Sequence, residues 1–160
     1  MKHFVVPTVM LSVFAMGTAF AVSDEVEHFV SLGMLDGYTA LNESEFTPAV
    51  GYHALIDNRH RWGLGATHSM NSNYTTTTGS YDYVYNFDSK WAIFGGVSTG
   101  YSFAKSDDGV LAGGQFGSTF EPVENMKMEL GYRIHDTLDN WKDRDMSRIE
   151  GIYFGFSMKV

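Results

Sequence analysis

The chain has no cysteine, so no disulfide can hold it together. It is also short of positive charge, with 11 Lys and Arg against 19 Asp and Glu and a formal net charge of -8. That balance disfavours nucleic acid as a partner and argues against a polybasic binder of lipid headgroups. Beyond residue 22 no stretch approaches ~20 apolar residues, so no helical membrane span is expected there. Its 17 glycines have no collagen period. Aromatic residues, by contrast, are abundant: three Trp, nine Tyr and twelve Phe.

The one long uncharged stretch comes first. Met1-Lys2-His3 precedes an uncharged run over 4–22, and Ala19-Phe20-Ala21 is followed at once by Asp24 and Glu25. This reads as a secretory signal peptide over 1–21, cleaved after Ala21, with a single domain over 22–160. An uncleaved N-terminal helix is the alternative, since the run is almost long enough to span. Cleavage leaves 139 residues and a formal charge of -9, because Lys2 departs with the leader. A small exported domain without disulfides needs another source of stability. A closed barrel supplies one, because every backbone group is paired between strands and no edge is left.

Strict alternation recurs along the domain. In the last segment Ile152, Phe154, Phe156, Met158 and Val160 share one face, with Gly151, Tyr153, Gly155, Ser157 and Lys159 on the other. Over 127–135, Met128, Leu130, Tyr132 and Ile134 oppose Lys127, Glu129, Gly131, Arg133 and His135. Over 91–103 one face carries Trp91, Ile93, Val97, Tyr101 and Phe103, and the other is mostly small. Eight strands are expected, near 26–36, 46–57, 60–70, 80–87, 90–103, 109–120, 125–136 and 147–160. Short connections at 57–60, 88–90 and 121–124 alternate with mostly longer, more polar ones at 36–45, 71–79, 104–109 and 137–147. An even strand count with alternating short turns and long loops suits an all-β, eight-stranded antiparallel up-and-down transmembrane barrel. A soluble eight-stranded calyx also closes, with its apolar face turned inward. The leader and the apolar-parity aromatics Trp62, Tyr85, Phe87, Trp91, Phe120, Phe154 and Phe156 favour the membrane form, where they would build an interfacial girdle.

Three stretches carry a family resemblance: 85–102 (YNFDSKWAIFGGVSTGYS), 128–135 (MELGYRIH) and 151–160 (GIYFGFSMKV). In these the chain resembles the small outer-membrane β-barrels of Gram-negative bacteria, the porin-family group that includes the OmpA-like membrane domain and the OmpX/Ail-like adhesins. The resemblance covers 22–160. It implies a monomer in the outer membrane, in contact with lipid and lipopolysaccharide and inserted by the assembly machinery through the C-terminal strand. The family usually ends on Phe or Trp; this chain ends on Val160. No wall-binding domain follows the barrel, so a tethering role through one is not expected.

Parity and resemblance together place Glu27, Arg61, Lys127, Glu129, Arg133 and Lys159 inside the barrel. Buried charges must pair, so these six are expected to form a structural network, with Glu129 and Arg133 reaching Arg61, Lys159 or Glu27. Eight strands leave room for side chains or one small ligand, which keeps a narrow small-solute channel or small-ligand-binding barrel as the alternative. His53 and His60 bracket a turn with Asp57, but zinc needs three or four ligands, and no metal or other cofactor is expected. The lipid A deacylase type of barrel uses His and Ser two residues apart. Here His68 and Ser69 are adjacent, face opposite sides and lack an acidic partner, so no catalytic residue is assigned. External function is left to the loops, where Trp141 sits among charges over 136–148 and is a candidate contact for a host or envelope protein.

Overall fold

The computed structural model describes residues 26–38, 44–69, 74–103, 109–138 and 149–160. The expected leader over 1–21 and Trp141 lie outside them. Alternation and β-branched or aromatic content produce eight strands: β1 (Val26–Tyr38), β2 (Ser44–Ile56), β3 (His60–Ser69), β4 (Tyr74–Asn86), β5 (Trp91–Phe103), β6 (Gly109–Val123), β7 (Met126–Thr137) and β8 (Ile149–Lys159). Each pairs antiparallel with its neighbours in sequence, and β8 pairs with β1 to close the barrel.

The pairing register fixes the geometry. From Glu27 the paired residues run Leu55, Arg61, Asp82, Gly96, Gln115, Arg133 and Gly151, and the circuit returns to β1 at Gly37. The circuit closes ten residues along the strand from where it began. For eight strands this shear gives a tilt of about 40° and a backbone radius of about 8 Å. The shortest strand, β3 with 10 residues, then rises about 25 Å, the height of a barrel's apolar band.

The strands β1, β2, β4 and β6 are longer than the sequence suggests. The polar 71–79 stretch is expected to be a loop, yet β4 begins at Tyr74 and absorbs Thr75 to Gly79. Threonine is polar but β-branched, and branching suits a pleated wall. The 36–45 connection likewise loses residues to β1 and β2. At the other end β6 runs to Val123, with a bulge between Phe120 and Val123 that accommodates Pro122.

The tight turns are set by residues that tolerate positive φ. Asp57 and Asn58 sit at φ 53 and 54, and the Arg59 amide bonds the Ile56 carbonyl at 3.0 Å, as in a type I′ hairpin. Asn125 does the same at φ 69. Asn58→Val is expected to cost about 1–2 kcal/mol through left-handed strain, read as a lower urea midpoint for the folded barrel. At the β4–β5 turn the Asp88 carboxylate accepts from the amides of Lys90 and Trp91 at 2.6 and 2.7 Å. The seam closes at the same end: the Val160 amide bonds the His28 carbonyl at 2.9 Å.

The two faces sort as the alternation requires. Leu32, Phe46, Trp62, Tyr85, Phe87, Trp91, Val97, Phe116, Leu130, Ile152, Phe154 and Met158 are exposed on the outside. A calyx would hold such residues within; here they form the outer wall. Its aromatics pair near the short turns, Trp62 with Tyr81 and Trp91 with Phe120, at centroid distances of 4.8 and 4.6 Å.

Candidate functional site: the barrel lumen

Inward side chains stack in layers along the axis. Nearest the short turns is a charged rim. The Lys159 ammonium lies 2.7 Å from Glu27 Oε1, and Lys127 Nζ lies 3.9 Å from Glu27 Oε2 while resting 4.4 Å from the Phe29 ring centroid. These three charged residues surround a mouth of about 450 Å³ that also has Asn86, Asp88, Glu121 and Glu124 in its wall. Above the rim lies an apolar layer of Phe29, Leu55, Val84, Ala92 and Phe94.

The centre is ionic. Arg61 donates from Nε to Asp82 Oδ2 at 2.9 Å and from Nη1 to Glu129 Oε2 at 2.6 Å. Gln115 donates to the second Asp82 oxygen at 2.7 Å. The Arg61 guanidinium also lies 4.0 Å from the Phe94 ring centroid, a cation–π contact. All four polar residues are buried, and Asp82 is 0% exposed. Small residues make the room: a side chain at Gly96 would strike the Tyr81 carbonyl and the Asp82 carboxylate, and Gly117 and Gly131 leave space for the Phe94 ring.

Beyond this layer is a polar chamber walled by Ser31, Gly51, Gly63, Gly65, Thr67, Thr78, Ser80, Arg133 and Tyr153. Then comes a second apolar layer, Leu35, Ala49, Tyr74, Leu111 and Tyr153. Chamber and lower cavity each measure about 50 Å³, and Arg61, Glu129 and His53 border both. The ionic layer is therefore the partition between them.

The six charges picked from the sequence fall into three places. Arg61 and Glu129 meet at the centre. Glu27, Lys127 and Lys159 meet at the rim. Arg133 joins neither group: its guanidinium lies 4.1 Å from the Tyr153 ring centroid. Asp82 was missed, although it lies on the inward parity of its strand. The register supplies the signal, because Asp82 stands directly across from Arg61.

His53 and His60 do not meet. His53 is inside, stacked on Phe29, and His60 is outside, bonded to the Tyr81 hydroxyl at 2.8 Å. Among the described residues no group of three or more His, Cys, Asp and Glu is placed to hold a metal. His68 bonds Thr75 on the outer face, and Ser69 is buried inside.

Shear, outer wall and filled lumen define a small eight-stranded transmembrane β-barrel. No protein-family model matches the chain, and no curated protein matches it in sequence. Solved structures do match in fold. Neisserial surface protein A shares 14% identity over 86% of this chain and 98% of its own, with a TM-score of 0.57. The Yersinia pestis outer-membrane protein Ail, in a phospholipid nanodisc, shares 14% over 85% and 100%, with a TM-score of 0.53. A de novo designed transmembrane β-barrel shares 15% over 84% and 95%, with a TM-score of 0.56. The chain thus resembles the OmpX/Ail/NspA-like outer-membrane barrels.

Proposed function

We propose that this is a non-enzymatic, monomeric barrel of a Gram-negative outer membrane, with a structural or surface-interaction role in the envelope. In this reading residues 1–21 are removed on export, and assembly machinery reads the alternating closing strand. The outer wall contacts lipid and lipopolysaccharide, and the long connections, Trp141 among them, meet envelope or host proteins. The carrying observation is an apolar outer wall around a lumen crossed by a hydrogen-bonded ionic layer. Such a barrel contributes a rigid, inert wall. Ail has been solved in complex with a heparin analogue, but the acidic balance here disfavours polyanions as partners for this chain.

The channel reading keeps one observation in its favour: a single ionic layer separates the two cavities. Purified protein in a planar bilayer is expected to give no discrete channel events; reproducible conductance steps would replace the structural role with the channel. Membrane insertion itself is tested by heat-modifiable gel mobility of the detergent-extracted outer-membrane fraction. A band in the soluble fraction that does not shift on boiling would overturn the assignment.

A further inference from the structure

We propose that Met126, Met128 and Met158 form a thioether site for one soft monovalent metal ion, copper(I), on the outer face of the barrel at the short-turn rim. The register brings them together. Met126 stands directly opposite Met158, and Met128 lies two residues further along β7 on the same face. Side chains directly across an antiparallel pair have Cβ atoms about 4.5–5.5 Å apart, and next-but-one residues on a strand are about 7 Å apart. Methionine, with three rotatable bonds, spans such gaps, so three sulfurs can converge on one ion. The backbone beneath them is held: just past the Met126–Met158 pair the Lys159 amide bonds the Asn125 carbonyl at 2.9 Å. The sulfurs are also open to an incoming ion. Met158 is 63% exposed, Met126 and Met128 are half-buried, and the adjoining turn residues Glu124 and Asn125 are exposed.

The surroundings select the ion. On the same face the triad is flanked by Phe120 and Val123 of β6, Phe156 of β8 and Val30 of β1. None of these side chains offers oxygen or nitrogen. The imidazole of His28, whose carbonyl bonds the Val160 amide, is not available either: its Nδ1 bonds the Tyr52 hydroxyl and its Nε2 is sealed in the wall. Zinc, calcium and magnesium need imidazole, thiolate or oxygen ligands, whereas soft thioethers select copper(I). A single charge also suits the position, because no carboxylate on this face would balance a divalent ion at the edge of the lipid. Phe120 and Phe156 stand across from Met128 on either side, and their rings add attraction for a monovalent cation. The neighbouring mouth carries Glu27, Asp88, Glu121 and Glu124 against only Lys127 and Lys159, a bias that gathers cations at this end.

The test titrates the detergent-purified, folded barrel with copper(I) buffered by bicinchoninate. One ion per barrel is expected, with an X-ray absorption spectrum showing sulfur neighbours alone. The chain has no cysteine, so every such sulfur is a thioether. Binding should stay level between about pH 5.5 and 7.5, where an ion held by histidine would loosen as the imidazole protonates. Each of Met126→Leu, Met128→Leu and Met158→Leu is expected to weaken binding at least about tenfold, and the triple variant to abolish it. Leucine nearly conserves the volume, and heat-modifiable mobility confirms that each variant folds. Met34→Leu, in the outer wall of β1 and away from the triad, should bind as the wild type does. No binding, a shell of nitrogen or oxygen, a steep loss toward acid pH, or undiminished binding in the folded triple variant would each overturn the site. The spectrum and the pH series use the wild type, so they decide the matter even where a variant does not fold.

Discussion

Replacing Arg61 with Met is expected to destabilise the folded barrel by about 3–5 kcal/mol, the cost of stranding buried charge without its partner. Two carboxylates depend on this one guanidinium. Asp82 and Glu129 are both buried, at 0% and 8% exposure, and both bond Arg61. Among the described residues Glu129 has no other side-chain hydrogen bond, and Asp82 keeps only Gln115. The measurement is the urea midpoint for loss of the fast-migrating folded band in lipid vesicles. Neutralising the carboxylates as well, in Arg61→Met, Asp82→Asn, Glu129→Gln, should recover most of the loss, because an uncharged trio has no uncompensated ion to bury. A single variant as stable as the wild type would show that the lumen is wet enough to solvate these groups. The single variant also bears on conduction: with Arg61 gone, only Glu129 and His53 are left of the residues that border both cavities.

Much of this architecture is legible in the residues. The inward and outward sets of β5, β7 and β8 can be read directly, because one face is large and apolar while the other is small or charged. The strand count and the positions of the tight turns follow from the same alternation and from Asp57-Asn58 and Asp88. The register is much harder to read. Taking Thr75 to Gly79 for loop shortens β4 and hides which residue of β4 faces Arg61. That is why Asp82, an acid between tyrosines, does not stand out. Closure is the other hidden step. Glu27 and Lys159 are 132 residues apart, and only the pairing of β1 with β8 brings them to one rim. Arg133 shows the limit of parity: four residues beyond Glu129 on the same face of a tilted strand means about 10 Å along the barrel axis. Sharing a face does not put it within reach of the same partners.

The lumen and the wall thus do separate jobs, and the wall can be tested alone. Val97 is the central residue of the 13-residue β5 and is 64% exposed on the outer face. Its flanking partners on that face are Tyr81 and Gly114, so an arginine there meets no carboxylate. In a bilayer it would lie near the midplane, and Val97→Arg is expected to cost about 2–4 kcal/mol of folding stability in lipid vesicles. Arginine at Val123, equally exposed but at the short-turn rim, should cost only ~0–1 kcal/mol, because depth sets the penalty. A water-facing wall would respond oppositely, with both arginines within about 0.5 kcal/mol of the wild type as ordinary surface changes. The comparison of the two depths is therefore more informative than either variant alone. A general loss of fold would lower both midpoints together, whereas lipid burial lowers the Val97 variant selectively. Urea titrations in vesicles, followed by gel mobility, separate these outcomes without knowledge of what the loops bind.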